Sequence, residues 1–171
     1  MNEDKTIAKL VGIEVKEDPF HRPYFVVDEY QGVVMLAIEQ NSVILIEQYR
    51  KPVTSNVLQL PGGGVKKGED LEYAARREFF EETGYQCGRV HYLGYLQPAS
   101  WRTNEITHVF FTSEVGINLN QQLEEHERIK VIKLDLQECV KRVKENHLHD
   151  SELCYAILKA ILMGFLPLTF N

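Results

Sequence analysis

Apolar positions along the chain fall into dense runs and looser, alternating ones. GVVMLAIE (32–39) and VILIEQYR (43–50) are almost continuously apolar on either side of Asn41-Ser42, a turn-compatible pair. Their density predicts interior strands covered on both faces. TIAKLVGIEVKE (6–17) and PYFVVDEY (23–30) predict two looser strands, joined near Pro19 and Pro23, that precede the core. VLQLPGGG (57–64) predicts one short strand running into a glycine-rich turn, and RVHYLGYLQP (89–98) and ITHVFFTSEV (106–115) alternate as strands around a polar turn at 100–105. GINLNQQLEEHE (116–127) predicts an acidic loop, RIKVIKLD (128–135) a strand, and two helical stretches follow at about 136–146 and 151–164. Strands and helices mixed in this way predict an α/β sandwich with a mixed sheet.

Between the glycine turn and Gly84 lies one well-marked helix. Asp70 is a suitable N-cap before Leu71, and Gly84 a C-terminal stop. At about 100° per residue from Leu71, Ala75 falls at about 40°, Ala74 at about −60° and Phe79 at about 80°, which defines the core-facing stripe. Glu78, at about −20°, and Glu82, at about 20°, fall inside that stripe, and Glu81, at about −80°, on its flank. Ionised glutamates are rarely buried unpaired. Carboxylates at this spacing on an inward face either pair with buried cations or gather a hard divalent cation, which takes oxygen ligands. Arg77, at about −120°, flanks the cluster and holds one acid at most.

Charge and composition narrow the partners. A net charge of −6 and a pI of about 5.5, with no large basic patch, exclude a nucleic acid as the main partner. No apolar run reaches the roughly 20 residues of a membrane helix, and MNEDKTIAKL has neither the basic nor the apolar region of a signal peptide. The expectation is a soluble, cytoplasmic protein without a membrane partner. Cys87, Cys139 and Cys154 are odd in number and lack zinc spacing, so they are expected as reduced, space-filling thiols. A chain of 171 residues has room for one ordinary core.

The stretch 63–85 resembles the Nudix hydrolase signature, Gly-x5-Glu-x7-Arg-Glu-U-x-Glu-Glu-x-Gly-U with U bulky and apolar. Gly63, Glu69, Arg77, Glu78, Phe79, Glu81, Glu82, Gly84 and Tyr85 match it throughout. The resemblance implies a Nudix-type α/β/α sandwich and hydrolysis of a diphosphate linkage. It also implies Mg²⁺ or Mn²⁺ held by Glu78 and Glu82, with Glu81 as a direct or water-mediated ligand and the backbone carbonyl near Gly62 contributing. Gly63, Glu69, Arg77 and Gly84 would then support the loop and helix.

QYR (48–50), Leu60-Pro61-Gly62-Gly63, LGYLQP ending at Pro98, EEHERIKV (124–131) and the final helices resemble the ADP-ribose pyrophosphatase branch. That likeness implies a nucleoside diphosphate sugar substrate. It also implies Glu125 as the loop glutamate that acts as general base, with Glu82 and Glu127 beside it at the metal. Gln59, Gly62 and Ala99-Ser100-Trp101 depart from the branch, which commonly has Glu, Ala and a Ser-Pro-Gly turn there. GDP-mannose, NADH-type dinucleotides and a non-catalytic nucleotide-sensing module therefore stand as alternatives. Candidate substrate contacts are Pro98, Trp101, as a stacking platform or else a cap on the core, and Arg50 and Arg102, as phosphate partners or else ordinary surface ion pairs. His147 and His149, two apart at a helix end, diverge and are expected on the surface, while His91, His108 and His126 have no assigned role. The branch implies a homodimer, with residues 1–30 as a dimerising β extension and 31–171 as the hydrolase domain.

Overall fold

In the computed structural model, residues 4–125 and 127–168 are described, so expectations touching 1–3, His126 and 169–171 lie outside them. The chain opens with an antiparallel sheet of β1 (Lys5–Leu10), β2 (Ile13–Glu17) and β3 (Pro23–Val27). Residues 6–17, expected as one strand, form a hairpin. Gly12 reverses the chain at a φ of 76°, a left-handed conformation that suits a residue without Cβ.

β4 (Gln31–Glu39) and β5 (Ser42–Arg50) are the interior strands, and the turn between them is Gln40-Asn41, one residue earlier than expected. Both turn residues have positive φ, 47° and 65°, as a two-residue hairpin of matching twist requires. Residues 57–64 divide into β6 (Ser55–Gln59), paired with β5, and β7 (Gly62–Gly64), paired with β4. The division falls at Leu60-Pro61, where proline has no N–H for a ladder. Pro61 instead accepts the Met35 N–H at 3.0 Å. That crossing brings the glycine strand against α1 (Leu71–Thr83), whose N-cap Asp70 accepts the Tyr73 N–H at 3.0 Å and whose stop, Gly84, has a φ of 76°.

β8 (Tyr85–Cys87) follows α1 directly and pairs with β11 (Val115–Asn118), two short strands that period alone did not announce. The first residues of the expected acidic loop are thus in a sheet. β9 (His91–Leu96), β10 (Ile106–Thr112) and β12 (Ile129–Asp135) complete the main sheet in the order β12-β5-β4-β10-β9. β10 runs parallel to β4 and the other pairs are antiparallel, so the sheet is mixed as expected. α2 (Leu136–Lys144) and α3 (Ser151–Leu162) cover one face, where Leu36, Val43 and Leu45 pack with Cys139, Leu153 and Ile157. α1 covers the other, where Val33, Met35 and Ile44 pack with Ala74, Ala75 and Phe79. This double burial is why the interior strands read as nearly unbroken apolar runs. The architecture is an α/β/α sandwich. The described cysteines are all free, and no described helix is long and apolar enough to cross a membrane.

Candidate active site

The site is built where α1 presses on β7. A Cβ on Gly62 would stand 2.0 Å from the Val33 carbonyl oxygen, so glycine is required there by close approach to backbone, and one on Gly63 would stand 2.5 Å from Glu78 Oε2, so a side chain there would displace that carboxylate. The Gly62 N–H donates to Glu82 Oε2 at 2.6 Å and fixes that carboxylate under the strand.

Glu78 and Glu82 point inward as the helical azimuth predicts, and Glu81 lies on the flank. Glu82 is 4% exposed, and the side chains of Glu78 and Glu81 are 14% and 33% exposed. Arg77 does more than expected. Its Nε donates to Glu69 Oε1 at 2.7 Å, its Nη1 to Glu78 Oε1 at 2.7 Å and to Glu81 Oε2 at 3.0 Å, and its Nη2 to the Gly64 carbonyl at 3.1 Å. The azimuth located its Cα but not the reach of a guanidinium with five donors. Glu69 also accepts the Lys66 N–H at 2.9 Å, which closes the loop leading into α1.

These contacts separate the acids electrostatically. The Arg77 hydrogen bond pulls Glu69 down to about 2. Burial pushes Glu82 up to about 8, with the charges of Glu78 and Glu127 adding to it and the Gly62 N–H and Arg50 opposing. Burial likewise raises Glu78, against Arg77 and with Glu81 and Glu127. The half-buried Glu78, which Arg77 neutralises only in part, thus lies close enough to the buried Glu82 for its charge to raise it, and hard oxygen donors of this kind fit a divalent cation. In this conformation no three acid, histidine or cysteine groups among the described residues converge on one point, and Arg77 Nη1 holds both Glu78 and Glu81.

The glycine strand opens on a cleft of about 1050 Å³ that Arg50, β6 and the residues before α3 also line. Arg50 Nε donates to Gln59 Oε1 at 3.0 Å, and its charge is felt at both Glu82 and Asp150. Asp150 caps α3 by accepting the Leu153 N–H at 2.9 Å, and burial pushes it up to about 6. His147 and His149 are on the surface as expected, but that surface is the wall of the cleft. No local signal in the sequence could have found them, because they reach the cleft only once α3 is placed against the sheet.

The other substrate candidates lie elsewhere. Pro98, Trp101 and Arg102 do not line the cleft of their own chain. The Arg102 carbonyl accepts the Phe25 N–H at 2.8 Å, its guanidinium lies over the Phe25 and Trp101 rings, and Asn104 exchanges two hydrogen bonds with Val27. This loop is therefore tied to the N-terminal sheet. Trp101, 77% exposed, does not cap the core.

A second hollow, of about 620 Å³, holds Glu124, Glu125 and Glu127, and Glu47 and Asn56 line both it and the main cleft. Glu127 turns the loop by donating its N–H to the Glu124 carbonyl at 3.0 Å while its Oε2 accepts the Glu124 N–H at 2.9 Å. Of the loop acids it is Glu127 whose charge is felt at Glu78 and Glu82.

A family model described as the NUDIX domain matches residues 29–151. The chain belongs to the Nudix family. Its relatives include the ADP-ribose pyrophosphatase of Bacillus subtilis (strain 168), 31% identical over 128 residues that cover 74% of this chain and 69% of that one. The methanol dehydrogenase activator of Bacillus methanolicus is 33% identical over the same length, with the same coverage. The GDP-mannose pyrophosphatase of Yersinia pestis (strain Pestoides F) is 29% identical over 145 residues, 74% of this chain and 69% of that one. A solved ADP compounds hydrolase superposes with a TM-score of 0.76 over 96% of this chain and 95% of its own, at 19% identity, and so shares the fold. This Nudix hydrolase therefore places the family's glutamates on α1 beneath a glycine strand. The matched segment begins two residues before β4 and leaves the N-terminal sheet outside it.

Proposed function

We propose that this Nudix hydrolase splits the diphosphate linkage of ADP-ribose or a related nucleoside diphosphate sugar into a nucleoside monophosphate and a sugar phosphate. The observation that carries the reading is the pair of a half-buried Glu78 and a buried Glu82, both raised by desolvation, beneath a glycine strand that lines a cleft of about 1050 Å³. Glu78, Glu82, Glu81 and the Gly62 carbonyl would hold Mg²⁺ or Mn²⁺. Such an ion, when bound, neutralises phosphate oxygens and acidifies water. Arg77 keeps Glu78 and Glu81 in register along one side of α1. Arg50, hydrogen bonded to a neutral partner in Gln59, retains its charge for a phosphate oxygen of the substrate. Glu125 takes the proton of the attacking water, and Glu127 bears on the same place from the adjoining turn.

Two relatives support the adenosine-linked substrate: the B. subtilis ADP-ribose pyrophosphatase and the mouse ADP-sugar pyrophosphatase, 43% identical over 54 residues, 32% of this chain and 25% of that one. The GDP-mannose pyrophosphatase relative favours a second reading, in which a guanosine-linked hexose fills the same cleft. The deciding experiment is a panel of ADP-ribose, GDP-mannose, other sugar nucleotides and NADH with Mg²⁺, run in heavy-oxygen water with products identified by mass. Fastest hydrolysis of ADP-ribose to AMP and ribose phosphate is expected. Preference for GDP-mannose would select the second reading, and turnover of none would overturn both.

A further inference from the structure

The last four carbonyls of a helix lack partners within it. In α1 the Phe80 carbonyl accepts the Gly84 N–H at 2.8 Å, but the next two are met from far along the chain. Glu81 O accepts the Gln122 N–H at 2.8 Å and Glu82 O accepts Gln121 Nε2–H at 2.5 Å, while just beyond the helix Gly84 O accepts the Leu119 N–H at 2.7 Å. The segment that caps α1 is therefore the one that leads into Glu124, Glu125 and Glu127. Gln121 Nε2 also lies 3.5 Å from the Ile129 carbonyl, where β12 begins. One amide thus reaches the end of the carboxylate helix and the far end of the loop.

That loop needs holding. Of its acids, Glu127 acts electrostatically on Glu78 and Glu82 of the helix, and like charges drive the loop outward when no cation intervenes. The backbone bonds of Leu119 and Gln122 fix only its near end. An uncharged donor as long as glutamine can reach both ends without adding to the charge.

We propose that Gln121 is a positioning residue that clamps the acid-bearing loop to α1 and so sets the general base over the helix carboxylates. The proposal rests on the reading of Glu125 as that base. Gln121→Glu keeps the shape and removes the donor, Gln121→Ala removes it without adding charge, and Gln121→Lys retains an N–H of comparable reach.

Amide hydrogen exchange of metal-free protein and steady-state kinetics with Mg²⁺ and the best substrate of the panel test it together. Gln121→Glu and Gln121→Ala should speed exchange at Leu119, Gln122 and Glu127 and lower kcat by about 10- to 100-fold, the scale of a small misplacement. KM should stay within about threefold, because the loop bears on the reacting water and not on binding. Gln121→Lys should restore most of both. Added to Glu125→Gln, the Gln121→Glu change should lower kcat little further, as residues acting through one another do. Wild-type exchange or wild-type kcat in both Gln121→Glu and Gln121→Ala overturns the clamp. If Glu125→Gln keeps its kcat while the Gln121 variants lose theirs, the base assignment fails and the clamp stands. If Glu125→Gln loses roughly 10²- to 10⁴-fold and the Gln121 variants lose nothing, the reverse holds. Should no panel member be hydrolysed, hydrogen exchange alone decides the clamp.

Discussion

Glu78 and Gly63 are so closely apposed that a Cβ on the glycine would stand 2.5 Å from one carboxylate oxygen and 2.8 Å from the other. Gly62, its neighbour, meets backbone instead, with the Val33 carbonyl oxygen 2.0 Å from the same construction. The two glycines therefore fail differently. Gly63→Ala displaces the free end of a side chain, so folding should change by less than about 1.5 kcal/mol while kcat falls roughly 10- to 100-fold. Gly62→Ala has to move a strand and should cost about 2 kcal/mol or more in stability. Chemical denaturation and kcat measured on both variants check this, and equal losses of stability would contradict it.

Arg77 and Glu69 make a pH-dependent brace. Glu69 is held at about 2 against an ordinary 4.5, first by the Arg77 hydrogen bond, so the folded state binds fewer protons than the unfolded one between those values. Its contribution is complete above pH 4.5 and is lost as pH falls toward about 2. Glu69→Gln should be less stable than wild type by about 1.5–3 kcal/mol at pH 7, the scale of a hydrogen bond to a charged group. Thermal unfolding across that range should show the gap closing as pH falls. A gap that is constant with pH would mean the pair is not the cause.

The helix between Asp70 and Gly84 is legible because its cap, its stop and its apolar stripe agree, and the stripe alone turns Glu78 and Glu82 inward. Local signals end there. Arg77 reaches three acids because its guanidinium lies far from its Cα, which an azimuth does not register. β8 and β11 are too short for a period to develop, and β7 is hidden because three glycines after Pro61 signal a turn and only their pairing with β4 makes them a strand. His147 and His149 line the cleft through the placement of α3 against the sheet, a long-range fact with no local trace.

The N-terminal sheet is the place to look for a second subunit. β1 is exposed along its whole length, Ile7, Leu10, Val11 and Phe20 are exposed, and exposed Trp101 sits on the loop bound to β3. A small sheet with so much apolar surface is marginal without cover. Light scattering of the full chain at micromolar concentration should give a dimer mass, and removal of residues 1–28 should give a monomer. A monomer for the full chain would refute the assembly.

Glu82 makes the metal question testable without turnover. Its carboxyl is raised to about 8 from an ordinary 4.5, chiefly by burial, so the folded protein holds an extra proton between those values. Metal-free stability must then fall as pH rises through that window. Glu82→Gln keeps the shape and an oxygen to accept the Gly62 N–H, and it removes the charge that burial penalises. At pH 9 in chelator the variant should melt above wild type by about 3 °C or more, and below pH 4.5 the two should coincide. Excess Mg²⁺ should reverse the order at pH 9, because an ion that binds only the folded state stabilises it by mass action and the variant has lost an anionic ligand. Binding should release a proton near neutral pH, so Mg²⁺ affinity of the wild type should climb toward pH 8. Turnover of Glu82→Gln should fall by about 10³-fold or more, several kcal/mol of barrier. Calorimetry in chelator and in Mg²⁺ separates the possibilities. A variant less stable than wild type at pH 9 in chelator would mean that the buried charge is compensated by the protein alone, and a variant that Mg²⁺ stabilises as fully as wild type would remove Glu82 from the ligand set.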